Sequence, residues 1–325
     1  MDSEETLKYI LDKGAETGIH VTTCANVTMG MQGKQLTDMK KLAAAGAVGF
    51  TDDGVPLLDA ELVRHAMEIS AELDMPISFH EEDPKYIENN GVNRGKASEY
   101  YGIGGSSREA EIALVERDLK LAEETGARLH LCHCSTKESV ELVRDAKKKG
   151  IKVSGEVCPH HFTLTEDDIV EGDANYKMNP PLRTKADVDA LKAGLRDDIM
   201  EVISTDHAPH TAEEKAKDLK SAPFGIVGME TAAALTFTEL VKTGYLTPMG
   251  MAEKMSTNPA RILGINKGDI SVGHLADITI FDPKDTYEIN AAEFASKGKN
   301  MPFEGRKVTG RVVGTILDGR IVYQK

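Results

Sequence analysis

Six apolar, β-branched segments alternate with amphipathic helical segments along most of the chain, and this alternation limits the possible folds more than any other feature. Such segments pack well as buried strands, and we predict strands at residues 20–27, 47–51, 76–80, 128–133, 152–157 and 202–205. Strands separated by helices pair in parallel. We therefore predict an α/β fold of the (β/α)8 TIM-barrel type, with a doubly wound sheet as the structural alternative.

The pattern changes after Gly268. Residues 278–281 and 314–323 alternate between apolar and polar side chains, as exposed antiparallel strands do, and Asp318-Gly319 has the composition of a tight turn. We predict that residues 1–257 form the barrel-type domain and that Asn258-Pro259 ends its last helix. Residues 265–325 are predicted to form a small C-terminal β appendage.

Composition excludes several classes of partner. The formal charge of −14 and the pI near 5.2 argue against binding to nucleic acid or to an anionic membrane. No apolar run approaches the roughly 20 residues of a membrane span. The four cysteines form no Cys-x-x-Cys pair, so we expect reduced thiols in a cytoplasmic protein. A zinc clip at Cys132-His-Cys134 is disfavoured, because alternation along a strand points both sulfurs away from His133.

Four predicted strands carry an acidic or imidazole side chain where they end, namely Asp53, His80, His133 and Asp206. Each has an ordinary interpretation alone: a turn residue, a histidine bonded to a neighbouring glutamate, or a histidine satisfied within the core. In a barrel, however, the carboxyl ends of the strands share one mouth, where the chemistry takes place. Two carboxylates and two imidazoles converging there match the ligands of Zn²⁺ and similar ions. The four residues therefore predict a metal site.

Six motifs together resemble the dihydroorotases of the bacterial type I class, which belong to the amidohydrolase superfamily of metal-dependent barrels. The motifs are Phe50-Thr-Asp-Asp-Gly54, His80-Glu-Glu-Asp83, His130-Leu-Cys-His-Cys-Ser-Thr136, Cys158-Pro-His-His161, Met178-Asn-Pro-Pro-Leu-Arg183 and Ser204-Thr-Asp-His-Ala-Pro-His210. The resemblance covers essentially the whole chain. It implies a site of two zinc ions, with Asp53 bridging them, His80 and His133 on one ion, and Asp206 on the other.

The resemblance also implies an activity, a substrate site and partners. The activity is the reversible, zinc-dependent hydrolysis of L-dihydroorotate to N-carbamoyl-L-aspartate in pyrimidine biosynthesis, with Asp206 as the catalytic general base and acid. Asn179, His210 and the backbone of Phe224 and Gly225 are implied to bind the substrate. A homodimer, or association with aspartate transcarbamoylase, is the macromolecular partnership that we expect.

The chain departs from the family at its most diagnostic motif, a His-x-His-x-Arg on the first barrel strand, which does not occur in these 325 residues. Six predicted strands where a closed barrel has eight agree with that departure. We expect a family member that lacks an N-terminal segment and that holds at most one metal ion firmly. Two alternatives stay open: a non-catalytic scaffold subunit for aspartate transcarbamoylase, and a related hydrolase of hydantoin, dihydropyrimidine or allantoin, which Asp53 disfavours.

Overall fold

A parallel sheet of five strands forms the centre of the molecule, in a computed structural model that describes all residues 1–325. Its strands are β1 (Phe50–Thr51), β2 (Pro76–Phe79), β3 (Arg128–Leu131), β4 (Val153–Val157) and β5 (Val202–Ile203). Each strand pairs with its neighbour in chain order. A doubly wound sheet would reverse its strand order at a switch point. The observed order confirms the predicted βα units. The doubly wound alternative is wrong, because the strand order does not reverse.

The predicted first strand, residues 20–27, is only partly formed. It lies beside β1, where Ala25 N–H donates to Gly49 O over 3.0 Å and Thr51 N–H donates to Ala25 O over 2.8 Å. These bonds make one parallel bridge rather than a strand. The segment has a neighbour on one side only, and Val21 is 37% exposed, so little packing holds it in register. The structure thus has five paired strands and one edge segment where six strands were predicted, and the sheet is open.

Helices connect the strands and cover the sheet. They are α1 (Glu4–Ala15), α2 (Met39–Ala44), α3 (Ala60–Glu72), α4 (Lys96–Tyr101), α5 (Arg108–Thr125), α6 (Lys137–Lys148), α7 (Pro159–Thr163), α8 (Lys185–Arg196), α9 (Ala212–Lys215), α10 (Met229–Thr236), α11 (Pro248–Ala252) and α12 (Asn258–Leu263). Side chains cap the N-termini of α3 and α6. Asp59 accepts hydrogen bonds from backbone N–H groups in the first turn of α3, and Thr136 accepts one from the first turn of α6. No helix combines the length and the apolarity that a bilayer span needs.

Asn258-Pro259 does not end the last helical segment, contrary to the prediction from the residue before proline. Residues Glu253–Thr257 form a π-helical turn that runs directly into α12, with Pro259 in its first turn. Within continuous helix a proline lacks its N–H donor and its ring meets the carbonyl one turn before it, and the wider π-helical turn directly before Pro259 accommodates that ring. The predicted boundary of the barrel-type domain at residue 257 therefore falls within continuous helix, and the two-domain division stays a prediction.

Three antiparallel strands form the second sheet, β6 (Ile278–Glu288), β7 (Lys307–Leu317) and β8 (Arg320–Gln324). Asp318 and Gly319 join β7 to β8 with positive φ angles of 48° and 75°, which confirms the predicted tight turn. The segment between β6 and β7 packs into the body of the molecule. Its buried Met301 and Phe303 share a hydrophobic cluster with Ile226 and Leu235. That contact places C-terminal residues beside the loops that follow β5.

Candidate active site

Three of the four predicted metal ligands meet at the carboxyl edge of the sheet. Asp53 follows β1, His80 follows β2 directly, and His133 follows β3. His133 Nε2 lies 3.1 Å from His80 Nδ1 and 3.2 Å from Asp53 Oδ1, and His80 Nδ1 lies 3.8 Å from Asp53 Oδ1. Both imidazoles are 97% buried, since 3% of each side chain is exposed, whereas Asp53 is 43% exposed. The carboxylate therefore forms the open side of a buried pair of histidines.

These three atoms have the spacing of a metal-binding set. Zinc bonds to nitrogen and carboxylate oxygen are about 2.0–2.1 Å, so neighbouring ligands in a tetrahedron are about 3.3 Å apart. Separations of 3.1, 3.2 and 3.8 Å need only small adjustments to reach that value. The residues therefore fit a divalent ion with one coordination position left open.

Opposite charges hold the three residues together in the metal-free protein. Burial opposes protonation of His133, but the hydrogen bond and charge of Asp53 outweigh it and raise the pKa of His133 to about 10. Burial likewise opposes ionisation of Asp53, yet the bond to His133 and the charges of both histidines lower the pKa of Asp53 to about 2. A proton on His133 thus occupies the place that a metal ion would take.

Further groups orient the two histidines. His80 Nε2 lies 3.3 Å from Glu82 Oε2, a buried carboxylate, and 3.4 Å from Asn179 Nδ2. His133 N–H donates to Glu156 Oε1 over 3.1 Å, which holds His133 in a left-handed conformation with φ of 33°. Glu82 lies behind the ring of His80, where a carboxylate fixes the tautomer and direction of a ligating histidine, whereas Glu156 holds the backbone of His133. Sequence reasoning named Glu82 only as one alternative partner of His80, and it missed Glu156.

Asp206 lies beside this cluster without joining it. The three ligand atoms of Asp53, His80 and His133 lie within 4.8 Å of one another, in a group that does not include Asp206. Burial raises the pKa of Asp206, His133 opposes that rise, and the charge of Asp53 adds to it. Asp206 also has a positive φ of 45°, so the backbone turns sharply directly after β5. Its carboxyl group is electrostatically coupled to the cluster, and its predicted role as a ligand stays a prediction.

Of the predicted substrate-binding residues, Asn179 contacts the metal cluster, whereas His210 and Gly225 are placed relative to each other. Asn179 is 6% exposed, and its Oδ1 is buried without a hydrogen-bond partner, beside the contact of its Nδ2 with His80. A Cβ atom on Gly225 would lie 3.4 Å from His210 Nε2, so these two residues are neighbours. Phe224 is 38% exposed. An orphaned amide oxygen beside the metal cluster is a group that a bound ligand would satisfy.

One residue far along the chain ties the substrate loops together. Asn300, between β6 and β7, accepts from His210 N–H over 2.9 Å and donates from Nδ2 to Ala208 O and Gly225 O, both over 3.0 Å. No motif around Asn300 signalled this role, because its partners are backbone groups of remote segments. The C-terminal part of the chain therefore helps to build the mouth of the site.

The thiols do not contribute to this cluster. All four cysteines are free, and the group of possible ligands around His133 includes neither Cys132 nor Cys134. A separate buried group joins Cys158, His160 and His161 below the site. Burial lowers the pKa of both of these histidines, so they are neutral in the folded chain.

Comparisons with known proteins identify the family of this chain. Residues 16–322 match the amidohydrolase family. The dihydroorotase of Clostridium acetobutylicum is 47% identical over 324 residues, which cover 100% of this chain and 76% of that relative. The dihydroorotase of Clostridioides difficile is 47% identical over 323 residues, covering 99% of this chain and 76% of the relative.

Solved structures of related hydrolases share the fold. An L-hydantoinase (dihydropyrimidinase) from Arthrobacter aurescens superimposes with a TM-score of 0.83 at 26% identity, covering 98% of this chain and 74% of that one. A D-hydantoinase from Thermus sp. gives a TM-score of 0.82 at 21% identity, covering 98% and 73%. At 21% identity, the second match shows only that the two chains share a fold.

Proposed function

The chain belongs to the amidohydrolase family and, within it, to the dihydroorotases, and on this premise we propose that it hydrolyses L-dihydroorotate reversibly to N-carbamoyl-L-aspartate. The observation that carries the proposal is the convergence of Asp53, His80 and His133 at metal-ligand spacing on the carboxyl edge of the sheet. The reaction opens a cyclic amide at the bond between a ring carbonyl and a ring nitrogen.

The metal site is proposed to hold Zn²⁺ through Asp53 Oδ1, His80 Nδ1 and His133 Nε2. A divalent ion there supplies Lewis acidity toward the ring carbonyl and toward water. A second ion would have Asp53 and Asp206 as its ligands in this chain, and two carboxylates are too few to hold it firmly. We therefore expect at most one firmly bound zinc ion per chain. A dialysed sample that retains two ions would contradict this stoichiometry.

Asp206 is proposed to take a proton from the attacking water and to return it to the departing amide nitrogen. A carboxyl group whose pKa is raised by burial is better suited to both steps than an exposed one. Asn179, His210 and the backbone at Phe224 would orient the ring and its carboxylate. These are hydrogen-bonding groups at the rim of the metal cluster, which is what a polar cyclic amide requires.

The decisive experiment measures turnover of L-dihydroorotate and of N-carbamoyl-L-aspartate by the metal-loaded chain and by its Asp206→Asn variant. General acid–base catalysis contributes about a hundredfold to ten-thousandfold, so the variant should lose about that much in kcat. Its metal content and Tm should stay unchanged. Near-unchanged turnover by the variant would contradict the role of Asp206, and no turnover by the fully metal-loaded parent would contradict the proposed activity.

A second candidate is the hydrolysis of a different cyclic amide, because solved hydantoinases share this fold. The two candidates differ in the substrate carboxylate, which dihydroorotate has and an unsubstituted hydantoin lacks. Parallel measurement of kcat/KM for dihydroorotate, hydantoin, dihydrouracil and allantoin distinguishes them. We expect dihydroorotate to be preferred by at least about a hundredfold, since a site built for a polar group rejects ligands without it.

Partners and location follow from the proposed activity. We propose a cytoplasmic enzyme, in keeping with four free thiols. Association with a second copy or with aspartate transcarbamoylase stays a prediction. If the chain were instead a non-catalytic scaffold for that enzyme, it would bind the partner yet show no turnover when loaded with metal.

A further inference from the structure

Two lysines are buried beside the substrate loops without any carboxylate partner. Lys177 is 3% exposed and Lys215 is 7% exposed, and neither forms a salt bridge. Burial of an ammonium group costs free energy unless its hydrogen-bonding capacity is used. By contrast, the buried Lys254 pairs with Asp198 over 2.6 Å. The two unpaired ammonium groups therefore require another explanation.

Both ammonium groups donate to backbone carbonyls of one loop. Lys215 Nζ lies 3.0 Å from Pro223 O and 3.0 Å from Gly225 O. Lys177 Nζ lies 2.8 Å from Ala222 O and 3.2 Å from Lys220 O. The lysines thus hold four of the carbonyl groups of residues 220–225, the loop that contains Phe224 and Gly225.

The hydrogen bonds of this loop leave one donor free. Gly225 N–H donates to Lys177 O over 2.9 Å, and Gly225 O accepts from Lys215 and Asn300, so both backbone groups of Gly225 are used internally. Phe224 N–H has no acceptor within the chain. Of the two residues predicted to bind substrate through their backbone, only Phe224 has a free N–H group to offer.

The free donor and the Lys215 acceptor belong to the same peptide group. Pro223 O and Phe224 N–H are the two ends of one trans peptide, so the N–H points away from Lys215. A hydrogen bond to the oxygen of an amide strengthens donation from its nitrogen, and the effect is largest in a site of low dielectric. An ammonium donor is stronger than a neutral one. The positive charge of Lys215 therefore polarises this peptide and makes its N–H a stronger donor.

We propose that Lys215 is a positioning residue that polarises the Pro223–Phe224 peptide, so that Phe224 N–H donates strongly to an anionic oxygen of the substrate. Lys177 holds the neighbouring Ala222 carbonyl and stops the peptide from rotating. His210 lies beside Gly225 and supplies a second donor at the same place. The proposal rests on the proposed function, because the anionic oxygen that Phe224 N–H would bind belongs to the acidic cyclic amide or to its acyclic dicarboxylate product.

The test compares Lys215→Met, which removes charge and donors, with Lys215→Gln, which retains a neutral donor. Lys217→Met, at an exposed lysine two residues further on, is the matched control. Binding of N-carbamoyl-L-aspartate to the metal-loaded chain is measured by calorimetry, together with kcat, KM and metal content. Lys215→Met removes a hydrogen bond from a charged group, and only part of its effect reaches the Phe224 N–H, so we expect about tenfold weaker binding for that variant. Binding by Lys215→Gln should be weaker than that of the parent by about threefold to fivefold, because this variant keeps a neutral donor.

The pattern across measurements separates the proposal from a purely structural role. KM should rise in both Lys215 variants while kcat stays within about twofold and metal content is unchanged. Binding by Lys215→Gln that equals the parent would overturn the role of the charge. A parallel fall of kcat and metal content in Lys215→Met would overturn the positioning role in favour of general destabilisation. Absence of ligand binding by the parent would instead overturn the proposed function, and this inference with it.

Discussion

The metal cluster and the substrate loop use buried charge in opposite ways. In the cluster, Asp53 meets the two histidines directly, and its negative charge is paired with the proton on His133. In the loop, two ammonium groups meet only the partial negative charges of backbone carbonyls. The cluster responds to protons and to metal ions, whereas the loop binds no metal and responds only to the protonation of its lysines, since burial lowers the pKa of Lys215 to about 8. Metal binding and substrate binding should therefore be separable by mutation.

The largest effect that tests this separation is expected for Asp53→Asn. The amide loses the negative charge that pairs with both histidines, and the site falls to two neutral ligands. Metal content after dialysis should drop below about a tenth of the parent value, and turnover should disappear with it. Asp12→Asn, an exposed change of the same chemistry, should alter neither. Full metal content in Asp53→Asn would place the metal elsewhere.

A smaller loss of metal affinity is expected for Glu156→Gln. Glu156 accepts from His133 N–H and lies 3.0 Å from His130 Nε2, so it fixes His133 from behind without reaching the metal position. Loss of an outer-shell partner costs about tenfold to a hundredfold in metal affinity, and because Glu156 holds the backbone of His133 rather than its ring, we expect a loss of about tenfold. A competition titration with a chelator measures it, with the exposed Glu141→Gln as control. If Lys215→Met lowered metal affinity equally, the two regions would not be independent.

Metal binding should also release a proton. His133 is protonated at neutral pH in the metal-free chain, since its pKa is raised to about 10, and an ion on Nε2 displaces that proton. About one proton per chain should appear in a weakly buffered indicator solution at pH 7. The His133→Asn variant should release none through this site. Release equal to that of the parent would assign the proton to another group.

The same pair gives the metal-free chain a defined pH range of stability. The pKa of His133 rises from 6.5, so its contribution is complete below pH 6.5 and is lost as the pH rises through about 10. The pKa of Asp53 falls from 3.8, so its contribution is complete above pH 3.8 and is lost toward about pH 2. Thermal unfolding of the metal-free parent, compared with His133→Asn, should show the advantage of the parent shrinking at both ends.

The two regions also differ in how far the sequence predicts them. Asp53, His80 and His133 each stand directly after a strand, and parallel strands bring their ends together, so local pattern and topology were sufficient. Lys177 and Lys215 gave no such signal, because their partners are carbonyl groups, which every residue carries. A lysine in a polar segment is normally a solvated one. Only the folded chain shows that these two are buried.

The same distinction explains the errors in the fold. The five paired strands were predicted within a few residues, whereas segment 20–27 forms only a single bridge, beside β1. Asn258-Pro259 was interpreted by its local preference, although the same dipeptide also suits the first turn of a helix. Predictions from local sequence preferences were correct where those preferences allow one structure. They were wrong where two local structures are possible and tertiary packing determines which one forms.

The smallest effect, and the most specific to the loop, is expected from Gly91→Ala. Gly91 has φ of 83°, and a Cβ atom there would lie 2.5 Å from Lys177 Cγ and 3.2 Å from Phe224 Cβ. Gly102 is a matched control, because its φ of 62° is also left-handed but a Cβ atom there meets nothing within 4 Å. Both substitutions should cost about 1 kcal/mol of stability from backbone strain.

Only Gly91→Ala also displaces Lys177, which should add about 1–2 kcal/mol from the steric contact. Ligand binding should weaken by about twofold to threefold, because the Ala222 carbonyl loses its donor and the polarised peptide beside it can rotate. Metal content should match that of Gly102→Ala, since the cluster is not touched. Equal ligand binding by the two alanine variants would mean that Lys177 does not hold the peptide, and the orientation of Phe224 N–H would then depend on Lys215 and Asn300 alone.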